Sequence, residues 1–445
     1  MWKYFGTDGV RGIANDKLTS RLAYRIGRFL GQYPNGKKTK ILIGRDTRLS
    51  GSMLDCALIS GVTSSGGDVY ELGITTTPSI SYLVENGDYD FGVMISASHN
   101  PFFDNGIKIF SPNGEKCPAD IEAEIEKYIE SDSDYLPLPK NAGLGRLVIA
   151  QSEVEKYLDY VSSKAKGDYS KIKALIDCAN GSASVTAKRV FIDRLGLNAD
   201  IIFDEFDGTN INNNCGSTHL ENLKMKVKKG KYDIGIAFDG DADRCLFVDE
   251  DGNDVDGDMT MYINAMYLKK AGKLKDNKIV LTVMSNLGLK KVLEQKGLSY
   301  EEVSVGDKYV QAKLKEKHLS LGGEQSGHVI FNEDLNTGDG MLTAIHTLNV
   351  ICAENASLKQ LNADFVKYPQ VLQNVGVSNK EAIMENEDLK KRIKDLEDGL
   401  NGDGRILVRP SGTEQLVRVM VEAKSIEICK SIAGELVSFI NGLSY

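Results

Sequence analysis

Short apolar runs recur along the chain, each closed by a polar or glycine-rich loop. KILIGRDTRLSGS begins at Lys40, KALIDCANGSAS at Lys173 and KIVLTVMSNLGL at Lys278. In each, a lysine precedes a short β-rich run, a polar or Gly/Ser/Asn loop follows, and a helical pattern such as NLGLKKVLEQKG comes next. Strands alternating with helices predict α/β units with substantially parallel sheets. Three such openings at domain-sized intervals predict three related α/β domains in tandem, because the spacing is far too long for a solenoid.

The tail follows a different pattern. EAIMENEDLKKRIKDLEDGL predicts one charged helix that NGDG ends, RILVRP and LVRVMVEA predict strands around a tight loop, and SIEICKSIAGELVSFIN predicts a closing amphipathic helix. This is a small fourth domain of α+β type. Turn-rich DYLPLPKNAGLG (134–145) marks a late break in the first unit, DEDGNDVDGD (249–258) a hairpin turn closing the second, and 362–380 the lead into the tail. The division expected is 1–152, 153–252, 253–366 and 367–445.

Composition narrows the partners. At 445 residues the chain is too long for one ordinary core. A 41% hydrophobic and 26% charged composition is that of a soluble globular protein. A formal charge of −9 argues against a general nucleic-acid binder, which needs a basic face. No apolar run approaches the roughly 20 residues that span a bilayer, so no membrane partner is expected. The opening MWKYFGTDGVRG has no signal-peptide pattern. Seven scattered cysteines without a CxxC pair suit a reducing cytoplasm.

Four constellations are candidates for chemistry. In GIAFDGDADRCLFVDE, Asp239, Asp241 and Asp243 alternate with Gly240 and Ala242 directly after an apolar run. Three carboxylates so close repel unless a cation offsets them, and hard oxygen ligands favour Mg²⁺, Ca²⁺ or Mn²⁺ over zinc. RPSGTEQLVR offers Arg409, Ser411, Gly412, Thr413 and Arg418 within ten residues. That is either a phosphate cradle or a hairpin turn with flanking arginines. GGEQSGHVIF places Glu324, Ser326 and His328 at alternate positions, on one side if the segment is extended, which suits a polyhydroxylated ligand. FGTDGVRG supplies Thr7, Asp8 and Arg11 for a phosphate or for a capped turn. Dinucleotide, P-loop and zincin motifs are absent. GVMISASHNPFFDNGIKIF (92–110) sets serines, a histidine and a lysine around one turn, and periodicity does not choose between Ser96 and Ser98.

In order and approximate spacing, FGTDGVRG, ISASHNPFFDNGIK, FDGDADR, GGEQSGH and RPSGTEQLVR resemble the α-D-phosphohexomutase superfamily over essentially the whole chain. GEQSGH, NCGSTH, VGDKYV and TGDGMLTA resemble its phosphoglucosamine mutase branch rather than the phosphoglucomutase/phosphomannomutase branch. The resemblance implies three α/β domains with mixed sheets and a smaller α+β domain around a central cleft. It implies interconversion of glucosamine 6-phosphate and glucosamine 1-phosphate, on the route to UDP-N-acetylglucosamine. It selects Ser98 as phosphoryl carrier and implies one Mg²⁺ per subunit on Asp239, Asp241, Asp243 and phospho-Ser98, with a glucosamine or glucose 1,6-bisphosphate as intermediate or activator. Arg409, Ser411, Gly412, Thr413 and Arg418 would clamp the non-reacting phosphate. Glu324 and Ser326 would hold ring hydroxyls, with His328, Thr7 and Arg11 also at the substrate. Arg244 would sit beside the phosphoserine, and His99 and Lys108 would handle protons and charge. A homodimer stays open. Gln415 departs from the proline usual there, with the donor residues intact. Neutral-hexose mutase, phosphohydrolase and sugar-phosphate sensor are the competing readings.

Overall fold

In a computed structural model the described residues are 3–6, 8–33, 38–411 and 415–443. They form two compact units, Met1–Met284 with Ser299–Asn362, and Ser285–Leu298 with Ala363–Tyr445.

The first unit holds three sheets. In the seven-stranded one the spatial order is Phe5–Gly6, Gly9–Ile13, Asp104–Phe110, Phe91–Ile95, Lys40–Arg45, Asp68–Ile74, Leu147–Ile149. Lys40–Arg45 runs parallel to both neighbours, whereas Phe91–Ile95 and Asp104–Phe110 are antiparallel, so the sheet is mixed. Its central strands are covered on both faces, which is why they are continuous apolar runs rather than alternating ones. Helices Ser20–Gly31 and Gly51–Ser64 cross with backbones touching. A Cβ at Gly61 would lie 2.1 Å from Tyr24 O, so only glycine fits.

The second sheet orders Asp254–Val255, Cys245–Val248, Ile234–Phe238, Lys173–Asp177 and Asn198–Ile202. The third orders Ser299–Val303, Lys278–Thr282, Leu321–Gly323 and Val329–Phe331. The three predicted openings therefore begin strands at Lys40, Lys173 and Lys278. One apolar core runs through Leu42, Ile80, Tyr157, Ile176, Phe238, Met341 and Leu348, and this continuity makes three α/β layers a single unit.

The turn-rich stretch 134–145 is anchored to the first unit. The buried Arg28 guanidinium holds Asp134 at 2.9 Å, Leu136 O at 2.7 Å and Pro137 O at 3.1 Å, and the chain then adds Leu147–Ile149 as an edge strand.

In the second unit Leu416–Ala423 lies between Gln370–Gly376 and Gly404–Pro410, antiparallel to both, with helix Ile426–Gly442 packed on the sheet. The expected single charged helix is two, Lys380–Glu385 and Glu387–Gly399. Asn386 lies between them, and its side chain accepts from Leu389 N to start the second. Helix Leu287–Gln295 belongs to this unit although it follows the third opening in sequence. Glu422 accepts from Asn286 Nδ2 and Leu287 N, each at 3.1 Å, and Lys291 pairs with Asp403 at 2.8 Å. All seven cysteines are free thiols, and no helix among the described residues is long and apolar enough to cross a membrane.

Candidate active site

The buried strand Phe91–Ile95 ends in a turn that places Ser98 at φ +53°, a left-handed conformation costing a non-glycine residue about 1–2 kcal/mol. Ser98 is 1% exposed; its Oγ donates to Asp239 Oδ2 at 2.6 Å and lies 3.3 Å from His99 Nδ1. Ser96 has a different task. Its Oγ accepts from Ser98 N at 2.9 Å and donates to Asp46 Oδ2 at 2.7 Å, so it holds the turn.

Asp239, Asp241 and Asp243 occupy the loop between the antiparallel strands Ile234–Phe238 and Cys245–Val248. One oxygen from each lies within 4.8 Å of the others. Asp241 Oδ2 accepts from Lys108 Nζ at 2.7 Å and from Thr77 Oγ1 at 2.5 Å. Asp241 Oδ1 and Asp243 Oδ1 are buried without a hydrogen-bond partner. Burial and repulsion from Asp243 and Asp241 push the Asp239 carboxyl well above the usual carboxylate range. Burial would also raise Asp243, but Lys108, His328 and Arg244 hold it below that range. Buried carboxylates with orphaned oxygens and an all-oxygen donor set fit a hard divalent cation such as Mg²⁺.

Cations frame this cluster. Lys108, on strand Asp104–Phe110, lies 3.2 Å from Asp8 and 3.5 Å from Asp243 in addition to its Asp241 contact. Burial opposes its charge, yet Asp241, Asp8 and Asp243 outweigh burial and raise its pKa, so it stays an ammonium. Arg244 Nε is 4.0 Å from Asp239 and 3.8 Å from Asp243. Arg11 pairs with Asp8, and Lys116 joins Asp8 at 2.6 Å to Asp307 at 2.5 Å. Burial, then the Arg244 and Arg11 cations, pull His99 down to about 4, which leaves the imidazole neutral at pH 7.

The Glu324–His328 segment is not extended. Gly323 pairs with Val329 across a tight turn, closed by Gly327 N donating to Glu324 O at 3.0 Å, because strands Leu321–Gly323 and Val329–Phe331 form a hairpin. Glu324 Oε1 accepts from Gly306 N at 3.0 Å, and Ser326 Oγ is buried without a hydrogen-bond partner. His328 is buried. Gly338 N donates to its Nε2 at 3.1 Å, which leaves Nδ1 to carry the proton toward Asp243 Oδ2, 3.8 Å away. In the second unit Arg409 and Arg418 are directly opposed across two strands, and burial and the Arg418 charge lower the Arg409 pKa. Ser411 N donates to Leu416 O at 2.9 Å and closes that hairpin. Thr7, Gly412 and Thr413 lie outside the described residues.

Ser98, His99, Lys108, Asp239, Asp241, Asp243 and Arg244 therefore converge, with Arg11 and His328 adjoining. Sequence reasoning missed Asp46, Arg48, Thr77, Lys116, Asn212 and Asp307. The available signals were the Asp–Thr–Arg run after the first opening and Thr77 before Pro78 at a helix start.

Family models match four successive segments: phosphoglucomutase/phosphomannomutase alpha/beta/alpha domain I at 2–136, domain II at 155–252, domain III at 256–368 and the C-terminal domain at 372–438. The chain is 47% identical to a phosphoglucosamine mutase of Lachnospira eligens, covering all of both chains. It is 48% identical to one of Bacillus subtilis, with 99% and 98% covered, and 49% identical to one of Geobacillus kaustophilus, with 97% and 96% covered. Among solved structures, a phosphoglucomutase/phosphomannomutase family protein of Burkholderia thailandensis superposes with a TM-score of 0.81 at 24% identity, covering 100% and 99%. Aspergillus fumigatus N-acetylphosphoglucosamine mutase, in complex with GlcNAc-6P and magnesium, gives 0.67 at 19%, covering 98% and 95%. On full-length identity near one half and four matching domains, the chain belongs to the phosphoglucosamine mutases of the α-D-phosphohexomutase superfamily.

Proposed function

We propose that this mutase interconverts glucosamine 6-phosphate and glucosamine 1-phosphate by lending a phosphoryl group from Ser98 and taking one back. The observation that carries the reading is the 2.6 Å contact of Ser98 Oγ with a carboxylate of the buried acidic triad. A free substrate hydroxyl forms the new bond to phosphorus as the bond to Ser98 Oγ breaks, giving a 1,6-bisphosphate. The hydroxyl proton passes to the departing Ser98 oxygen, and neutral His99 Nδ1, 3.3 Å away, is placed to hold it in transit. The bisphosphate turns over, its other phosphate returns to Ser98, and the proton goes back.

Asp239, Asp241 and Asp243 would hold Mg²⁺, with a phosphoserine oxygen beside them. When bound, the ion supplies charge neutralisation for the transferring group. Lys108 stays protonated and so supports charge rather than accepting a proton. Arg244 and Arg11 add positive charge beside the serine. Glu324 and Ser326 would bind ring hydroxyls, and the opposed Arg409 and Arg418, with Ser411, would hold the non-reacting phosphate bidentately. His328, 3.8 Å from Asp243, would position that carboxylate beside the substrate. Free thiols throughout the chain support work in a reducing cytoplasm.

The test is turnover of glucosamine 6-phosphate against glucose 6-phosphate with Mg²⁺ present, alongside mass spectrometry of the Ser98 peptide. The reading expects amino-sugar preference and one phosphoryl group on that peptide. A strong glucose preference overturns the substrate, and inorganic phosphate released in step with turnover overturns the mutase chemistry.

A further inference from the structure

We propose that Arg48 is a positioning residue whose guanidinium sets the geometry of the phosphoryl-carrying serine, an inference that rests on Ser98 being the carrier. Arg48 side-chain N–H groups reach five acceptors. Nε donates to Asp46 Oδ2 at 2.8 Å. Nη2 donates to Ser98 O at 2.7 Å and Asn100 O at 2.9 Å, and Nη1 to Asp104 O at 3.0 Å and to Pro101 O. A guanidinium has five N–H groups, so its donors are fully used, four of them on carbonyls of one seven-residue loop.

The loop is gripped on its other side by the same ion pair. Asp46 Oδ2 accepts from Ser96 Oγ, which in turn accepts from Ser98 N. Both the N–H and the C=O of Ser98 are thus tied to Asp46–Arg48. From the neighbouring layer Asn212 Nδ2 adds hydrogen bonds to Ser98 O at 2.9 Å and Asn100 O at 3.2 Å. The side chains of Asp46 and Arg48 are wholly buried. A buried ion pair is a poor way to gain stability, because desolvation offsets the attraction. Here its directional donors act on the strained turn at Ser98, where φ is +53°. Holding that turn matters because the serine gains and loses a dianionic group in every cycle, and a displacement of about 1 Å at a reacting atom costs on the order of 100-fold in rate. Lysine offers three donors from one point and does not span these acceptors.

The experiment compares Arg48→Lys and Asn212→Gly with wild type. Thermal melting confirms folding, kcat and KM are measured separately, and the phosphorylated Ser98 peptide is quantified after incubation with the 1,6-bisphosphate. Asn212 itself has φ +58°, so glycine removes the side chain without straining the backbone. We expect kcat to fall about 100-fold in Arg48→Lys and about tenfold in Asn212→Gly, with KM within about threefold of wild type. A merely structural role would instead lower the active fraction in proportion to lost folding. If Arg48→Lys does not fold, Asn212→Gly decides. A folded variant with wild-type kcat and normal Ser98 phosphorylation overturns the inference alone. Active wild-type protein that never carries phosphate on Ser98 overturns the carrier reading and this inference with it.

Discussion

Ser98 Oγ meets Asp239 Oδ2 at 2.6 Å although 141 positions of chain separate them. The contact joins the one strained serine of the first layer to a loop of the second, and the closeness is built into the backbone. A Cβ at Gly240 would sit 2.5 Å from Ser98 O. Removing the hydroxyl should therefore abolish transfer without loosening the fold. Ser98→Ala is expected to lose mutase turnover by at least about 10⁴-fold and to carry no phosphoryl group on its peptide. Residual turnover within tenfold of wild type would sink the carrier assignment.

Metal removal should act on both rate and stability. Chelation should stop turnover reversibly. A cation present at about 100 times its Kd should stabilise the folded protein by about 2.7 kcal/mol. Asp241→Asn should erase the Mg²⁺-dependent rise in melting temperature, because it removes one charge of the three while leaving the volume unchanged. Calorimetry with Mg²⁺ alone, without substrate, reads this directly, and an unchanged shift in the variant would count against the triad.

Arg409 lies directly opposite Arg418 in the strand pair, and two guanidinium forks so placed suit a phosphate. Arg409→Ala is expected to raise KM for both sugar phosphates by about 10–100-fold, the worth of charge-assisted hydrogen bonds of roughly 1.5–3 kcal/mol. Arg409→Lys should recover little, since a point charge does not reproduce a bidentate fork. A steady-state comparison in which KM stays at the wild-type value would remove Arg409 from the site.

Asp55 gives a pH signature away from the active centre. Burial, then Glu71, raise its carboxyl to about 7 from 3.8, with Arg45 Nε, 3.8 Å away, opposing the rise. The folded state binds this proton more tightly than the unfolded one. The associated stability is complete below about pH 3.8 and is lost as pH rises through about 7. Asp55→Asn should therefore gain stability relative to wild type between pH 5 and pH 8, by no more than roughly 3 kcal/mol, since only the span from pH 5 to about 7 contributes, at about 1.4 kcal/mol per unit. Melting curves at those two pH values decide it, and a gap independent of pH would contradict the titration.

Much of this was legible in the chain. Strands at Lys40, Lys173 and Lys278 follow from apolar runs bounded by turn residues, which are local signals. The acidic triad was legible because its members are two residues apart. Alternation puts Glu324, Ser326 and His328 on one side only of an extended segment, and the antiparallel pairing of Leu321–Gly323 with Val329–Phe331 makes this one a turn instead. Asn386 was overlooked as a helix start within a continuously charged run, although an Asn cap is a local feature.

By itself, then, the sequence determined the element types, the acidic loop and the family motifs, because each depends on neighbours within a few residues. Periodicity left Ser98 and Ser96 open, since they share a face by parity; the resemblance selected Ser98, and tertiary structure supplies the physical reason. One hydroxyl meets Asp239 and the other is consumed by Asp46. It also drew Arg48 onto the serine loop and assigned helix Leu287–Gln295 to the second unit. Those outcomes depend on where carbonyls and carboxylates distant in the chain come to lie, and a buried donor must find them wherever they are, since leaving it unpaired costs more than any local preference supplies.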